Sequence, residues 1–315
     1  MKHKTIMLAL VLAAPIPAMA IALPAVAQSE MSAEDKAYVA QIEKIAAEIQ
    51  PQTGDIELSE AHATLHLADN YYFLGPDDAR KVLVDAWGNP PSAADGVLGL
   101  VFPKGAKFYD PTVWGAVVTY EATGYVSDED ARTADYDKLL KDLQEGQEAA
   151  NEERTKQGYA ALHLVGWAQQ PIYDAASHSV VWARNLHADG TDGNGLNYDV
   201  RMLGRSGVLS LNMLSDMTRL SGVNMAAKHL AQAASFDDGS RYQDYIPDVD
   251  KKAGYGIAGL VAAGAGVAAA KKLGFLAILL GFGKKFIVLL LAGVAALGGY
   301  VRRLLGGHAE DTDTE

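Results

Sequence analysis

Cysteine is absent from this 315-residue chain. Its absence removes disulfides, thiol nucleophiles and thiolate metal sites together, so the fold must be held by its core. Acidic residues are absent from Ala253 to Tyr300, where the only charges are Lys271, Lys272, Lys284 and Lys285. No internal repeat is visible, which sets aside solenoids and propellers. Disorder is excluded as well, because 49% hydrophobic and 21% charged residues suit one large domain or two small ones.

What is present is spread unevenly. Lys2 and Lys4 precede an apolar run from Ile6 to Ala14, and small residues lead to Ala25-Val26-Ala27. This predicts a secretory signal over residues 1–27, cleaved after Ala27, with Ala20 as a second position. Pro15, Pro17 and Pro24 break the run and argue against a membrane span there. At the other end, lysine pairs divide residues 251–305 into Ala253 to Ala270, Leu273 to Gly283, and Phe286 to Val301, closed by Arg302 and Arg303. A spanning helix needs about 20 apolar residues. The expectation is therefore a C-terminal transmembrane anchor of one or two spans, with an acidic tail at 306–315. If both outer pieces cross, the lysine pairs hold the middle one in the cytoplasm.

The net charge is −12, and the anchor carries only cations, so residues 28–250 are more acidic than the whole. Such a field repels nucleic acid and favours cations or basic partners. Within this exported part, Ser32 opens a helix with Tyr38, Ile42, Ile45 and Ile49 on one face, stopped by Pro51. Ile56 to Leu67 follows a strand pattern with one slip near Glu60. Pro76 starts a helix with Ala79, Val82, Leu83 and Ala86 inward. Strands are expected over Gly96 to Phe102 and Val113 to Glu121. A long helix follows over Asp135 to Gly158, its later turns largely solvated.

Further strands are expected at Ala161 to Trp167, Asn197 to Leu203 and Val208 to Leu214. A last helix carries Leu220, Val223, Ala227, Leu230 and Ala234. The stretch Gly166 to Arg184 reads as a hairpin turning at Asp174 to Ser177. That register sets Tyr173 opposite His178 and Gln169 opposite Trp182, with Trp167 a diagonal neighbour of Trp182. Together these predict an α+β fold, an antiparallel sheet with packed helices.

The segments WGNPP (Trp87 to Pro91), GYVSDEDA (Gly124 to Ala131), GWAQQPIYDAASHSVVWA (Gly166 to Ala183), LNYDVRMLGRSGVLSLN (Leu196 to Asn212) and YGIAGLVAAGAG (Tyr255 to Gly266) carry a family likeness. On them the chain resembles a family of membrane-anchored bacterial proteins known only as a domain of unknown function. The resemblance implies an exported domain in the bacterial envelope, held by a C-terminal anchor. It brings no activity, cofactor or catalytic residue, and His62 and His66 depart from it.

Candidate chemistry is sparse. His62 and His66, four apart, would share a helix face for zinc, but on a strand they lie about 13 Å apart. Asp189, Asp192 and Asn194 resemble a calcium loop that no acidic residue closes. Glu121, with Asp128, Glu129 and Asp130, offers carboxylates for acid/base work, and His163 or His178 joins them only if the fold brings them together. His163, on one strand face with Val165 and Trp167, reads as a satisfied histidine. Ser206 sits in G-R-S-G, which lacks the nucleophile-elbow spacing and leads into a strand. Arg201 and Arg205 are expected to pair with carboxylates.

No cofactor or metal site follows from these residues. In the anchor, Ala258, Ala262, Gly266 and Ala270 form a small-residue face suited to self-association or a partner's helix. The reading is an extracytoplasmic binding or scaffold module of unknown activity. A hydrolase with a carboxylate/histidine site assembled by the fold is the alternative.

Overall fold

The computed structural model describes residues 33–264 except 88, 90, 111, 112 and 157–159. The expected signal at 1–27, the anchor beyond Gly264 with Gly266 and Ala270, and the tail at 306–315 lie outside the described residues. The chain divides into two compact units, Met1–Ala40 and Gln41–Glu315, and every strand belongs to the second.

Helix α1 (Ala33–Glu48) stops short of Pro51, and its Ile42 and Ile45 are buried in the second unit. The strand pattern that follows is a hairpin. β1 (Asp55–Leu58) and β2 (Ala63–His66) pair antiparallel around a 3-10 turn at Ser59–Ala61, and His62 leaves the turn at φ 48°. The slip near Glu60 is this turn. β3 (Tyr71–Leu74) precedes α2 (Pro76–Arg80), which continues over Lys81–Ala86 in a wider coil with Trp87 N–H donating to Val82 C=O. Ala79, Val82, Leu83 and Ala86 are buried, as their spacing requires.

Then come β4 (Val97–Pro103), β5 (Gly115–Glu121), β6 (Tyr125–Ser127) and α3 (Tyr136–Lys156). β7 (Leu162–Asp174), β8 (Ser179–Ala188), β9 (Asn194–Leu203) and β10 (Val208–Asp216) form successive hairpins. α4 (Leu220–Gln232), β11 (Ala234–Phe236), β12 (Lys252–Gly256) and α5 (Ile257–Gly264) complete the described chain.

Seven strands make one antiparallel sheet in the order β3-β4-β5-β10-β9-β8-β7, and β1, β2 and β11 form a second sheet. Alternation along each strand gives the large sheet two inner faces. On one, Val200, Leu209, Leu211 and Met213 pack with Leu65 of the small sheet and with Val223, Ala227 and Leu230 of α4. On the other, Leu162, Trp182 and Val208 pack with Leu139 and Leu143 of α3 and with Leu260 and Val261 of α5. The fold is α+β, with an antiparallel sheet and packed helices.

The hairpin register differs from the sequence expectation. The turn is displaced by one residue, with Asp174 on Ser179, so Tyr173 pairs with Val180. Bulges at Gln169/Ile172 and Trp167/Gln169 then shift the ladder through Gln169 on Ala183 until Trp167, on Arg184, is back in the expected register, and a further bulge follows at Leu164/Gly166. This last bulge also turns Trp167 onto the side of Leu164, so His163 does not share its face. β7 is an edge strand, and an open edge invites pairing with another chain. α3 covers part of it. Gln144 donates to Leu164 C=O, and Asn151 both donates to Leu162 C=O and accepts from Leu162 N–H. Gln147, Asn151 and Arg154 form a buried polar face of α3, on which Asn151 binds the strand edge, while Glu145, Glu148, Glu152 and Lys156 on the rest of its later turns are exposed as expected.

The first described residues of the expected anchor belong to the folded domain. β12 pairs parallel with β6, and α5 buries Ile257, Leu260, Val261 and Ala262. Asp130 caps α5 from a distance, its carboxylate accepting from Ile257 N–H at 2.7 Å and Ala258 N–H at 3.1 Å. A side chain at Gly256 would begin 2.5 Å from that carboxylate, so only glycine fits. Among the described residues, no helix is long and apolar enough to cross a membrane.

Ile257, Leu260 and Val261 together contribute roughly 5–9 kcal/mol of burial, against a domain stability of about 5–15 kcal/mol. A chain ended after Asp250 should therefore lose its cooperative thermal transition, whereas one ended after Gly264 should keep it. Circular dichroism melts of both checks this, and a cooperative melt in the shorter chain would show α5 to be dispensable.

Candidate functional site

The centre of the large sheet is charged. β8, β9 and β10 align Arg184 with Asn197, Asp199 with Asn212, and Arg201 with Ser210 on one face. Asp199, at 0% exposure, accepts from Arg184 Nη2 and Arg201 Nη2, each at 3.2 Å, and from Asn212 Nδ2 at 3.0 Å. Arg201 Nη1 also donates to Glu121 at 2.6 Å and to Ser210 at 2.7 Å, while Arg184 Nη2 donates to Asn197 at 2.7 Å.

Two guanidiniums thus meet two carboxylates. Burial pulls the Arg184 pKa down, with Asp199 opposing it. Burial acts on Arg201 in the same sense, but Glu121 and Asp199 together outweigh it and the net shift is upward. Burial and the nearby Glu121 push Tyr255 of β12 up to about 12. Gly264 closes over the cluster, since a side chain there would begin 3.0 Å from Arg201 Nη2 and 2.9 Å from Trp182.

A second cluster lies at the β7–β8 turn. Asp174 turns the chain by accepting from Ala176 N–H and the Ser177 hydroxyl, and these bonds hold its pKa below the usual carboxylate range. His178 leaves the turn at φ 47°, which aims its ring back along the hairpin. There Tyr173 bridges two groups far apart in sequence, donating its O–H to Asp128 at 2.7 Å while His178 Nδ1 lies 3.1 Å from the same oxygen. Burial first, then Asp128, pushes the Tyr173 phenol well above its ordinary value, so it keeps its proton.

Tyr242 stacks on the His178 ring at 4.4 Å and on Tyr125 at 4.6 Å, and Tyr125 stacks in turn on Tyr245 at 3.8 Å. A pocket of about 300 Å³ opens beside this stack. Met202, Leu209 and Phe236 give it apolar walls, with Ser177, His178 and Gln232 as polar groups. No carboxylate lines it.

The candidate residues are therefore divided. Asp128 and His178 are brought together through Tyr173. Glu121 is held on Arg201 in the sheet, and His163 is held between Glu148 at 2.8 Å and Asp189 at 3.1 Å. Of the acidic stretch, Asp130 caps α5 and Glu129 is exposed. His66 lies between Asp55 and Ser235, away from the left-handed turn that carries His62. Among the described residues no group of three His, Asp or Glu side chains is arranged to hold a metal ion. Arg205 forms a forked pair with Asp250 at 2.7 and 2.8 Å, and Ser206 lies in the β9–β10 turn.

Sequence reasoning missed Asp199, Arg184, Tyr173 and Tyr242. One usable signal was the alternation Asn197, Asp199, Arg201 beside Leu196, Tyr198, Val200. In a strand buried on both faces, such a polar row must satisfy itself.

Residues 50–295 match the model of a family described as "Protein of unknown function (DUF2167)". No curated protein matches the chain. Among solved structures, the solution structure of cyanobacterial PsbP (CyanoP) from Synechocystis sp. PCC 6803 is similar at a TM-score of 0.32 and 8% identity, covering 60% of this chain and 92% of that one.

Removing the shared carboxylate leaves the buried Arg184 guanidinium with no anionic partner while Arg201 keeps Glu121, and breaking a buried pair costs about 3–5 kcal/mol. Asp199→Ala should lower stability by that order in urea denaturation, and a loss under about 1 kcal/mol would mean that solvent reaches the cluster. His163 behaves differently. Its hydrogen bond to Glu148, with a smaller part from Asp189, raises its folded pKa. The bridge therefore stabilises fully below the unfolded value of about 6.5 and is lost as pH rises through the folded value. Glu148→Gln should lower the urea midpoint near pH 6 and leave it almost unchanged near pH 9, within about 1 kcal/mol because the pair is half exposed. An effect larger at the higher pH would contradict it.

Proposed function

We propose, for a chain that belongs to this family of proteins of unknown function, a ligand-binding module whose recognition site is the pocket beside His178. One observation carries the reading. The carboxylates that would serve an acid/base catalyst are engaged elsewhere, Glu121 on Arg201, Asp128 on Tyr173 and Asp130 on α5, and the concavity is lined by apolar and polar groups without a carboxylate, its one arginine, Arg241, being paired with Asp238.

The hydrolase alternative draws support from the Asp128–Tyr173–His178 chain, yet Ser177, which precedes that histidine on the turn, spends its proton on Asp174. Binding is the better account. We further propose that the module stands on the extracytoplasmic face of a bacterial membrane. The basic and apolar start of the chain, the acid-free stretch from Ala253 to Tyr300 and the acidic charge of residues 28–250 support this. Ala262 is 1% exposed within the domain, so self-association through the small-residue face is proposed for Ala258, Gly266 and Ala270 without it.

Gln232 stands exposed at the pocket and ends α4, where a bulky side chain is tolerated by the fold and fills the opening. Native mass spectrometry of the full chain purified from its own membrane should reveal a small bound molecule that is lost in Gln232→Trp. The same bound mass in both proteins, or an empty wild-type chain with unchanged crosslinked partners in the variant, would overturn the reading.

A further inference from the structure

The hydrogen bonds at the pocket decide which nitrogen of His178 is open to a ligand. Tyr173 has a single O–H, and it is given to Asp128. The 3.1 Å contact with His178 Nδ1 then requires the proton to sit on that nitrogen. In the neutral ring Nε2 is left with its lone pair, and among the described residues it has no hydrogen-bond partner. Stacking on Tyr242 at 29° between ring planes fixes the ring, so the acceptor is held in place before any ligand arrives.

We propose, on the premise that this pocket is the recognition site, that its ligand is a compact apolar molecule or group donating one neutral hydrogen bond, from a hydroxyl or an amide N–H, to His178 Nε2. Three observations select this chemistry. The walls at Met202, Leu209 and Phe236 suit an apolar body. A desolvated ammonium would find no carboxylate in the lining. A carboxylate would face the Nε2 lone pair, and Arg241, the one permanent cation in the lining, is already paired with Asp238.

Tyr173 acts as a positioning residue, because it holds the tautomer without touching the ligand. The charged and titratable groups facing the ring are Tyr173 and Asp128 across the hairpin, Asp174 in its own turn, and Tyr242 with Arg241 from the segment after β11.

The test uses full-length chain with [15N]histidine in lipid nanodiscs, titrated with phenol, anisole and benzoate at matched free concentrations. Phenol should shift the His178 ring nitrogens and bind about three- to tenfold more tightly than anisole, the worth of one neutral hydrogen bond. The spectra should show the Nδ1–H tautomer in the wild type and a mixture in Tyr173→Phe, which keeps the ring and the packing. Anisole binding as well as phenol would leave the pocket standing and overturn the assignment to His178. Benzoate binding more tightly than phenol near pH 8 would overturn the neutral-donor class. If none of the three binds, the pocket reading falls together with the inference.

Discussion

Asp199 is the point on which the large sheet depends. A carboxylate with no solvent contact must be paired, and Arg184, Arg201 and Asn212 pair it from three adjacent strands. The pairing holds only in one register, because sliding any of these strands by a single residue turns its polar row to the opposite face, among Val200, Leu209 and Leu211. The cluster therefore selects one alignment of β8, β9 and β10, and through Glu121 it reaches β5 as well. An apolar interior of similar volume would pack with less desolvation cost but would tolerate more than one alignment.

With the register set, the two ends of the sheet are free to do other things. At the β7 edge, amide side chains of α3 satisfy backbone groups that would otherwise template a foreign strand. At the hairpin end, the left-handed residue His178, held from behind by Tyr173, lines the pocket, and the segment carrying Tyr242 stacks against its ring. The acidic stretch after β6 serves both ends. Asp128 orders the tyrosine beside the pocket, and Asp130, two residues on, anchors the first turn of α5. The pocket and the start of the C-terminal apolar segment are thus tied to the same short loop.

Much of the architecture was readable from local pattern. The helix after Pro76, the strands at β4, β5, β9 and β10, and the apolar face of α4 follow from periods of 2 and 3.6 with flanking turn residues. Three readings went astray for a shared reason. The β1–β2 hairpin, the shifted register of β7 on β8, and the one buried polar face of α3 each depend on a partner strand that local pattern does not name. A polar residue reads as solvated unless the group that satisfies it is known.

By itself the sequence determined the α+β class, the strand and helix periods, the uneven charge of the chain and the exclusion of thiol chemistry, because each is a property of composition or of neighbours within about ten residues. Only the tertiary structure decided which acids were occupied and which histidine faced a cavity. Glu121 meets Arg201 across 80 residues, Asp128 meets Tyr173 across 45, and Asp130 meets Ile257 across 127. Hydrogen bonds and ion pairs act over a few ångströms in space, and separation along the chain carries no measure of that distance until the sheet register has been chosen.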